Sequence, residues 1–358
     1  MKQIFTVFFL LFSVAVATAQ SNSDTTAPKL NISGYVDAYY KYNFNKNVTD
    51  NKTSFTNSQN SFELGMASLK LQEQYKKAEF VADLGFGRRA EEFSYNDDKT
   101  RVAIKQLYLD YAFTDHFKLT FGSYATHMGW ELVDPTGNRN YSMSYCFSYG
   151  PFFHTGLKAD FTFGKWTAMV GVFDPSDHKT NFFGDYGGAF NDRKNIGAQV
   201  SYAPSDAFKI YVNYLEGKDT SGVSNNQIDP IITIQATPKF NIVLCEYLDM
   251  FKASGSSTQS WTSSALYLNY DFTSAFGLSL RSEYFTDKDG LTIFTDPVAF
   301  PDGGNILSFT LSGNVHLGNL TFIPELRLDN ATEGVFTKAN NSPTKTTANV
   351  LFAAYYAF

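Results

Sequence analysis

The residues best placed to do chemistry here are ionisable side chains that recur at every second position or crowd into one long polar segment. Arg281 and Glu283, and again Glu325, Arg327 and Asp329, alternate with apolar neighbours, which puts each set on one face of an extended strand. Mixed charges on the wall of a narrow aqueous space would create a transverse field and orient polar solutes. Arg281 and Arg327 are the better candidates to face water, because a guanidinium stays charged when partly buried. Glu283 and Asp329 read more simply as members of a salt-bridge network that stiffens the wall. A second set, His127, Glu131, Asp134, Arg139 and His154, lies in or beside the long polar segment 127–153.

Catalysis needs more than this. Acyl transfer requires a serine, a histidine and a carboxylate that converge. His116, His127, His154, His178 and His316 are scattered along the chain, and no GxSxG motif is present. Asp174, Asp177 and His178, or Asp287 and Asp289, could hold a cation at a loop tip. Solvated loop acids are commoner, and Asp287-Lys288-Asp289-Gly290 lacks the rest of a calcium loop. The expectation is a chain that is not an enzyme and needs no metal or cofactor.

Composition narrows the class. The 358 residues include 35 Phe, 22 Tyr and 3 Trp, yet mean hydropathy is only −0.23. Beyond the N-terminus no apolar run approaches the roughly 18 residues of a membrane helix. Many aromatics with a polar average fit alternation, with one face apolar and the other wet. A formal net charge of −6 argues against nucleic acid as a partner. The two cysteines, Cys146 and Cys245, form no CxxC. Their pairing is not assignable from sequence, and two unrelated free thiols are the expectation.

The N-terminus reads as a targeting signal. Lys2 is followed by an apolar run over 4–16 and by Ala17-Thr18-Ala19, an A-x-A cleavage site. The expected organisation is a signal peptide over 1–19, a short periplasmic segment over 20–29 and one β-domain over 30–358.

That domain alternates from end to end. Leu30, Ile32, Gly34, Val36, Ala38, Tyr40, Tyr42 and Phe44 share one face, and Asn31, Ser33, Tyr35, Asp37, Tyr39, Lys41 and Asn43 the other. Such a run exceeds the ordinary strand of about 5–6 residues and suits a tilted membrane strand of about 9–11 or more. Three places are less clean. The apolar phase slips at Met66-Ala67, which suggests a bulge; Glu246 falls on the apolar face; and Pro324 removes a ladder donor inside a strand.

Connections alternate in length. Short turns fall at 75–77, 114–116, 164–165, 204–207, 238–239, 273–275 and 317–319, and long polar loops at 45–60, 88–101, 127–153, 174–193, 217–228, 251–260, 287–304 and 330–346. Seven turns and eight loops join sixteen strands. This is the pattern of an all-β, up-and-down antiparallel transmembrane β-barrel, with turns on the periplasmic side and loops outside. Sixteen strands leave an aqueous lumen, where eight would be filled by side chains.

The last strand places Val350, Phe352, Ala354, Tyr356 and the terminal Phe358 on one face, and resembles the C-terminal signal read by the outer-membrane barrel assembly machinery. The stretch from Phe121 is more specific. Gly122, Gly129, Glu131, Pro135, Asn138, Tyr141, Ser142, Ser144, Pro151, His154 and Gly156 resemble the OmpL-like β-barrel porins of Gram-negative bacteria. Arg281-Ser282-Glu283-Tyr284-Phe285-Thr286-Asp287-Lys288-Asp289-Gly290 and Pro324-Glu325-Leu326-Arg327-Leu328-Asp329 support the match. Met143 departs from it, standing where the family commonly has Arg. The resemblance implies an outer-membrane channel for passive diffusion of small polar solutes or ions, surrounded by lipid. A homotrimer is compatible with this reading, and a closed barrel with a surface-binding or structural role is the alternative. In general porins the third outer loop folds into the barrel. By that analogy His127, Glu131, Asp134, Arg139 and His154 would line a constriction, with Glu131 and Arg139 facing water. The plainer reading is that they cap and hydrogen-bond their own loop.

Overall fold

In the computed structural model the described residues are 29–180, 193–219 and 221–358. The expected signal peptide and almost all of the segment 20–29 lie outside them. Alternation is expressed as sixteen antiparallel strands that close into one barrel, each paired with its sequence neighbours and the last with the first. They are β1 (Lys29–Asn43), β2 (Ser61–Tyr75), β3 (Ala78–Phe86), β4 (Ile104–Thr114), β5 (Phe117–Ala125), β6 (Phe153–Phe163), β7 (Trp166–Phe173) and β8 (Asn195–Ser205). The second half comprises β9 (Phe208–Lys218), β10 (Ser224–Thr237), β11 (Phe240–Lys252), β12 (Gln259–Thr273), β13 (Phe276–Asp287), β14 (Gly304–Leu317), β15 (Leu320–Ala331) and β16 (Thr346–Ala357). No helix among the described residues is long and apolar enough to cross a membrane; crossing is left to the strands.

Closure runs through the chain's last residue. Gly34 N–H donates to the Phe358 carbonyl at 3.0 Å and Phe358 N–H to the Gly34 carbonyl at 2.9 Å. A Cβ on Gly34 would lie 2.9 Å from the Phe358 ring, so glycine is what lets that ring lie against β1. The outward face of β16 carries Val350, Phe352, Ala354 and Tyr356, in register with Tyr42, Tyr40, Ala38 and Val36. At the turn end the outward rings pack in a row. Phe117 lies 5.3 Å from Phe113 and 5.2 Å from Phe161, and Trp166 stacks on Tyr202 at 4.4 Å. This is the aromatic girdle of a barrel at a membrane interface.

The irregularities have local causes. At the phase slip, Gly65 and Met66 together oppose Asp37, a bulge in which Met66 N–H donates to Asp37 Oδ1 at 2.6 Å. Pro324 points outward opposite Gly313, whose missing side chain leaves room for the ring. Glu246 does face outward at the middle of β11, where it accepts a hydrogen bond from Ser264 on β12 at 2.5 Å. Two loops are shorter than the sequence reading, spanning 219–223 and 253–258, because β10 to β12 run further up. The run Asn225-Asn226-Gln227 reads as loop by polarity, yet it is strand.

Candidate functional site

The loop between β5 and β6, residues 126–152, enters the barrel and is held by the inward faces of strands on both sides. Its path follows from where charged side chains stand. Near its start His127 Nε2 meets the Tyr214 carbonyl of β9 at 3.0 Å. Gly129, in the left-handed region at φ 84°, donates its N–H to Asp229 of β10 at 2.6 Å. The chain then crosses the lumen. Asp134 accepts from Tyr35 of β1 at 2.8 Å and from Lys105 of β4 at 2.6 Å. At the turn end Arg139 grips both oxygens of Asp271 on β12, at 2.6 and 2.7 Å.

The return path is a latch in which carboxylates hold loop N–H groups and guanidiniums hold loop carbonyls. Glu325 accepts from the N–H of Tyr141 at 2.8 Å and of Ser142 at 3.2 Å. Glu283 accepts from Tyr145 at 2.9 Å and Cys146 at 2.8 Å, capping the short helix α2 (Tyr145–Tyr149). Arg281 donates to the Ser142 carbonyl, and Arg327 to that of Met143, each at 2.7 Å. Arg281 also pairs with Glu131 at 2.5 Å, and the second oxygen of Glu131 takes the Ser144 N–H and hydroxyl, both at 2.8 Å. Tyr145 donates its hydroxyl to Asp329 at 2.9 Å, and Tyr141 donates its own to Asp37.

This geometry changes the roles assigned from sequence. Arg281, Glu283, Glu325 and Arg327 do project inward, but none is more than 4% exposed. They lie under the loop and hold it, so the expectation that Arg281 and Arg327 line open water gives way to a positioning role. Glu131, at 7%, is buried rather than facing water. Arg139 is partly open to solvent, and Asp134 is paired across the lumen. The rings of His127 and His154 lie 5.0 Å apart and tilted to one another, and His154 stacks on Phe173 at 4.6 Å. Burial pushes the His127 imidazole down to about 4, so it is neutral at neutral pH. Of the loop acids that could have held a cation, Asp174 pairs with Lys194 at 2.8 Å, and Asp177 and Asp287 serve the backbone. Asp177 accepts from the N–H of Phe152 and Phe153, and Asp287 from those of Leu291 to Phe294. Both cysteines are free and buried, as expected for unrelated thiols.

Sequence reasoning put Asp37 and Lys41 on the polar face of the first strand without giving them a role, and missed the inward Lys105, Asp229 and Asp249 on strands and Arg89 on the short helix α1 (Arg88–Phe93). The strand residues share the polar phase that singled out Arg281 and Arg327; the same test applied to every strand finds them. Arg89 stacks on the Tyr141 ring at 4.7 Å, a contact no local pattern encodes.

Space remains on both sides of the loop. On the loop-end side a vestibule of about 670 Å³ opens beside β10 to β12. On the turn side lie a cavity of about 240 Å³ along β5 to β8 and one of about 130 Å³ by Asn241, Tyr267 and Asn269. His127 lines the first of these.

A family profile described as "Putative beta-barrel porin-2, OmpL-like" matches residues 29–358. Among curated proteins no relative matches. Solved structures agree in fold. An anion-selective porin from Comamonas acidovorans superposes with a TM-score of 0.63 at 12% identity, over 93% of this chain and 100% of that one. The trimer form of OmpT from Vibrio cholerae gives 0.61 at 10%, over 93% and 100%. The outer membrane channel DcaP of Acinetobacter baumannii gives 0.59 at 9%, over 94% and 99%.

Proposed function

The chain belongs to the OmpL-like β-barrel porin family of the outer membrane, and on that premise we propose a route for small polar solutes and ions along the β5-to-β12 side of the lumen. One observation carries the route: the loop is latched mainly to β13–β15 and β1, with a further grip on Asp271 of β12, and the cavities lie along β5 to β12. The narrowest point on this reading is His127 to Gly129, pinned to Tyr214 and Asp229. Near it Lys158 and Asp160 of β6, 2.8 Å apart, face the same turn-side cavity. The latch charges are paired, so they hold the loop in place and leave conductance to the opposite wall.

Assembly is part of the proposal. The last strand would be read by the barrel assembly machinery after export on the N-terminal signal, and the folded chain would associate as a homotrimer, a form that the Vibrio cholerae OmpT structure takes.

The closed barrel is the second reading, favoured by the number of anchors on the loop and by its crossing of the lumen from Asp229 to Lys105. Planar-bilayer recordings on purified, folded protein decide between them. Discrete conductance steps in potassium chloride, with swelling of proteoliposomes in small sugars, are expected. A folded barrel that gives neither is a closed one.

A further inference from the structure

We infer that the loop-end vestibule is a binding site for small organic ammonium cations, with Asp249 as their counter-charge. The inference deepens the channel reading and rests on it for its meaning, since it names a class of solute that would dwell at the channel mouth.

Asp249 stands on the inward face of β11 and lines the vestibule, yet it is only 2% exposed. Its polar side-chain neighbours Asn225 and Trp261 are both neutral. Its Oδ1 has no partner among the described residues, and neither does the Oδ1 of Asn225 beside it. No described cation pairs with it. The vestibule's single basic lining residue, Arg88, is committed to Glu92 at 2.8 Å.

The other two lining acids are spent. Glu92 also takes the Phe55 N–H and the Asn57 amide. Asp177 takes two backbone N–H groups and the Tyr95 hydroxyl. What is left over is one buried carboxyl group and two free acceptors, with no free basic donor facing them.

A buried carboxylate calls for a partner that brings positive charge and N–H donors together. An ammonium group does both, whereas a neutral polyol supplies hydroxyls without charge. Among the described residues no cluster of three or more His, Cys, Asp or Glu is placed to hold a bare metal ion. Tyr149, Phe251 and Leu291, each half-buried, give the wall an apolar side that suits an alkyl chain and, at the rings, a cation. Below Asp249 on the adjoining strand, Asp229 is likewise without an ion pair, and its Oδ1 is unpartnered. The acceptors therefore continue from the vestibule toward the Gly129 pin.

The test is titration calorimetry on the folded full-length protein in detergent, with n-butylammonium, the neutral alcohol n-pentanol, one methylene longer, and sodium at matched ionic strength as probes. Butylammonium should bind saturably, and pentanol and sodium at least roughly tenfold more weakly, the loss expected when a charge-assisted bond is absent. Asp249→Asn should weaken butylammonium by a similar factor while folding normally by heat-modifiable gel migration. Equal binding of pentanol, no saturable butylammonium binding, or unchanged affinity in folded Asp249→Asn overturns the site. If the variant does not fold, the comparison of probes on the native protein still decides. Conductance in potassium chloride alone tests the channel separately. Channels without butylammonium binding sink only this inference, and binding without channels sinks only the channel reading.

Discussion

Replacing the two wall glutamates with leucine should release the in-folded loop. Glu283 and Glu325 each accept two backbone N–H groups from it, besides the hydroxyls of Ser263 and Ser312. A buried N–H left without an acceptor costs about 1–3 kcal/mol. Each substitution therefore destabilises the docked loop by about 2–6 kcal/mol, toward the lower end because a carboxylate no longer has to be buried. Even 3 kcal/mol raises the undocked population by more than roughly a hundredfold, at about 1.4 kcal/mol per tenfold. The ladder between strands is untouched, so the barrel itself should remain closed, as heat-modifiable migration will report. In single-channel recordings the native protein should hold a steady level. Glu283→Leu and Glu325→Leu should flicker to a larger one, and the double variant should reside there. Gln at either position keeps one acceptor oxygen and should act more weakly. A folded double variant with native conductance and native noise would refute the latch.

Acidity acts at the other anchor. Burial holds His127 down to about 4, below its ordinary value near 6.5. The docked loop thus excludes a proton that the released loop binds, and docking is full above about pH 6.5 and lost as pH falls through about 4. Lys158 nearby adds to the burial that disfavours the imidazolium, and the Tyr214 carbonyl opposes it in part. Flickering should rise over that window, and His127→Gln, which cannot titrate, should flatten the dependence. Deleting Phe358 removes both closing hydrogen bonds to Gly34; the yield of heat-modifiable barrel in the outer membrane should fall sharply while the total synthesised is unchanged. Cys146 and Cys245 should resist a maleimide in the folded barrel and both react on unfolding, with no change in mobility on reduction. Arg139→Ala, at a partly exposed pair, should lower barrel stability by no more than about 1 kcal/mol in urea.

The fold was legible because a barrel wall writes its two faces into every strand. Alternation in Lys29–Asn43 needs only local sequence, and the bulge at Gly65-Met66 announces itself as a phase slip. Loop boundaries were less legible, since Asn225 and Gln227 are polar for the lumen's sake and look like loop. The site was half legible. Inward direction follows from phase, so Arg281 and Arg327 were found, but whether an inward residue meets water or another segment does not. That depends on contacts between residues more than a hundred positions apart, such as Glu131 with Arg281 and Tyr141 with Glu325. Periodicity carries no term for them.

The lumen thereby divides into two electrical halves, and the division follows from what each wall must hold. On β13 to β15 every inward charge named in the latch has a partner on the loop or on its own strand. Burying such charges is tolerable only when they are paired and hydrogen-bonded, and a loop that supplies N–H groups, carbonyls and Glu131 meets that demand. On β10 and β11 the loop offers much less: Gly129 gives one N–H to Asp229, and Asp249 receives nothing from it. The wall whose charges meet the loop holds it still, with only Arg281 Nε and Arg327 Nη2 among its latch atoms left unpartnered. The wall of β10 and β11 instead leaves an oxygen of Asp229 and one of Asp249 without a partner among the described residues, which is where the ammonium site inferred above would draw its acceptors.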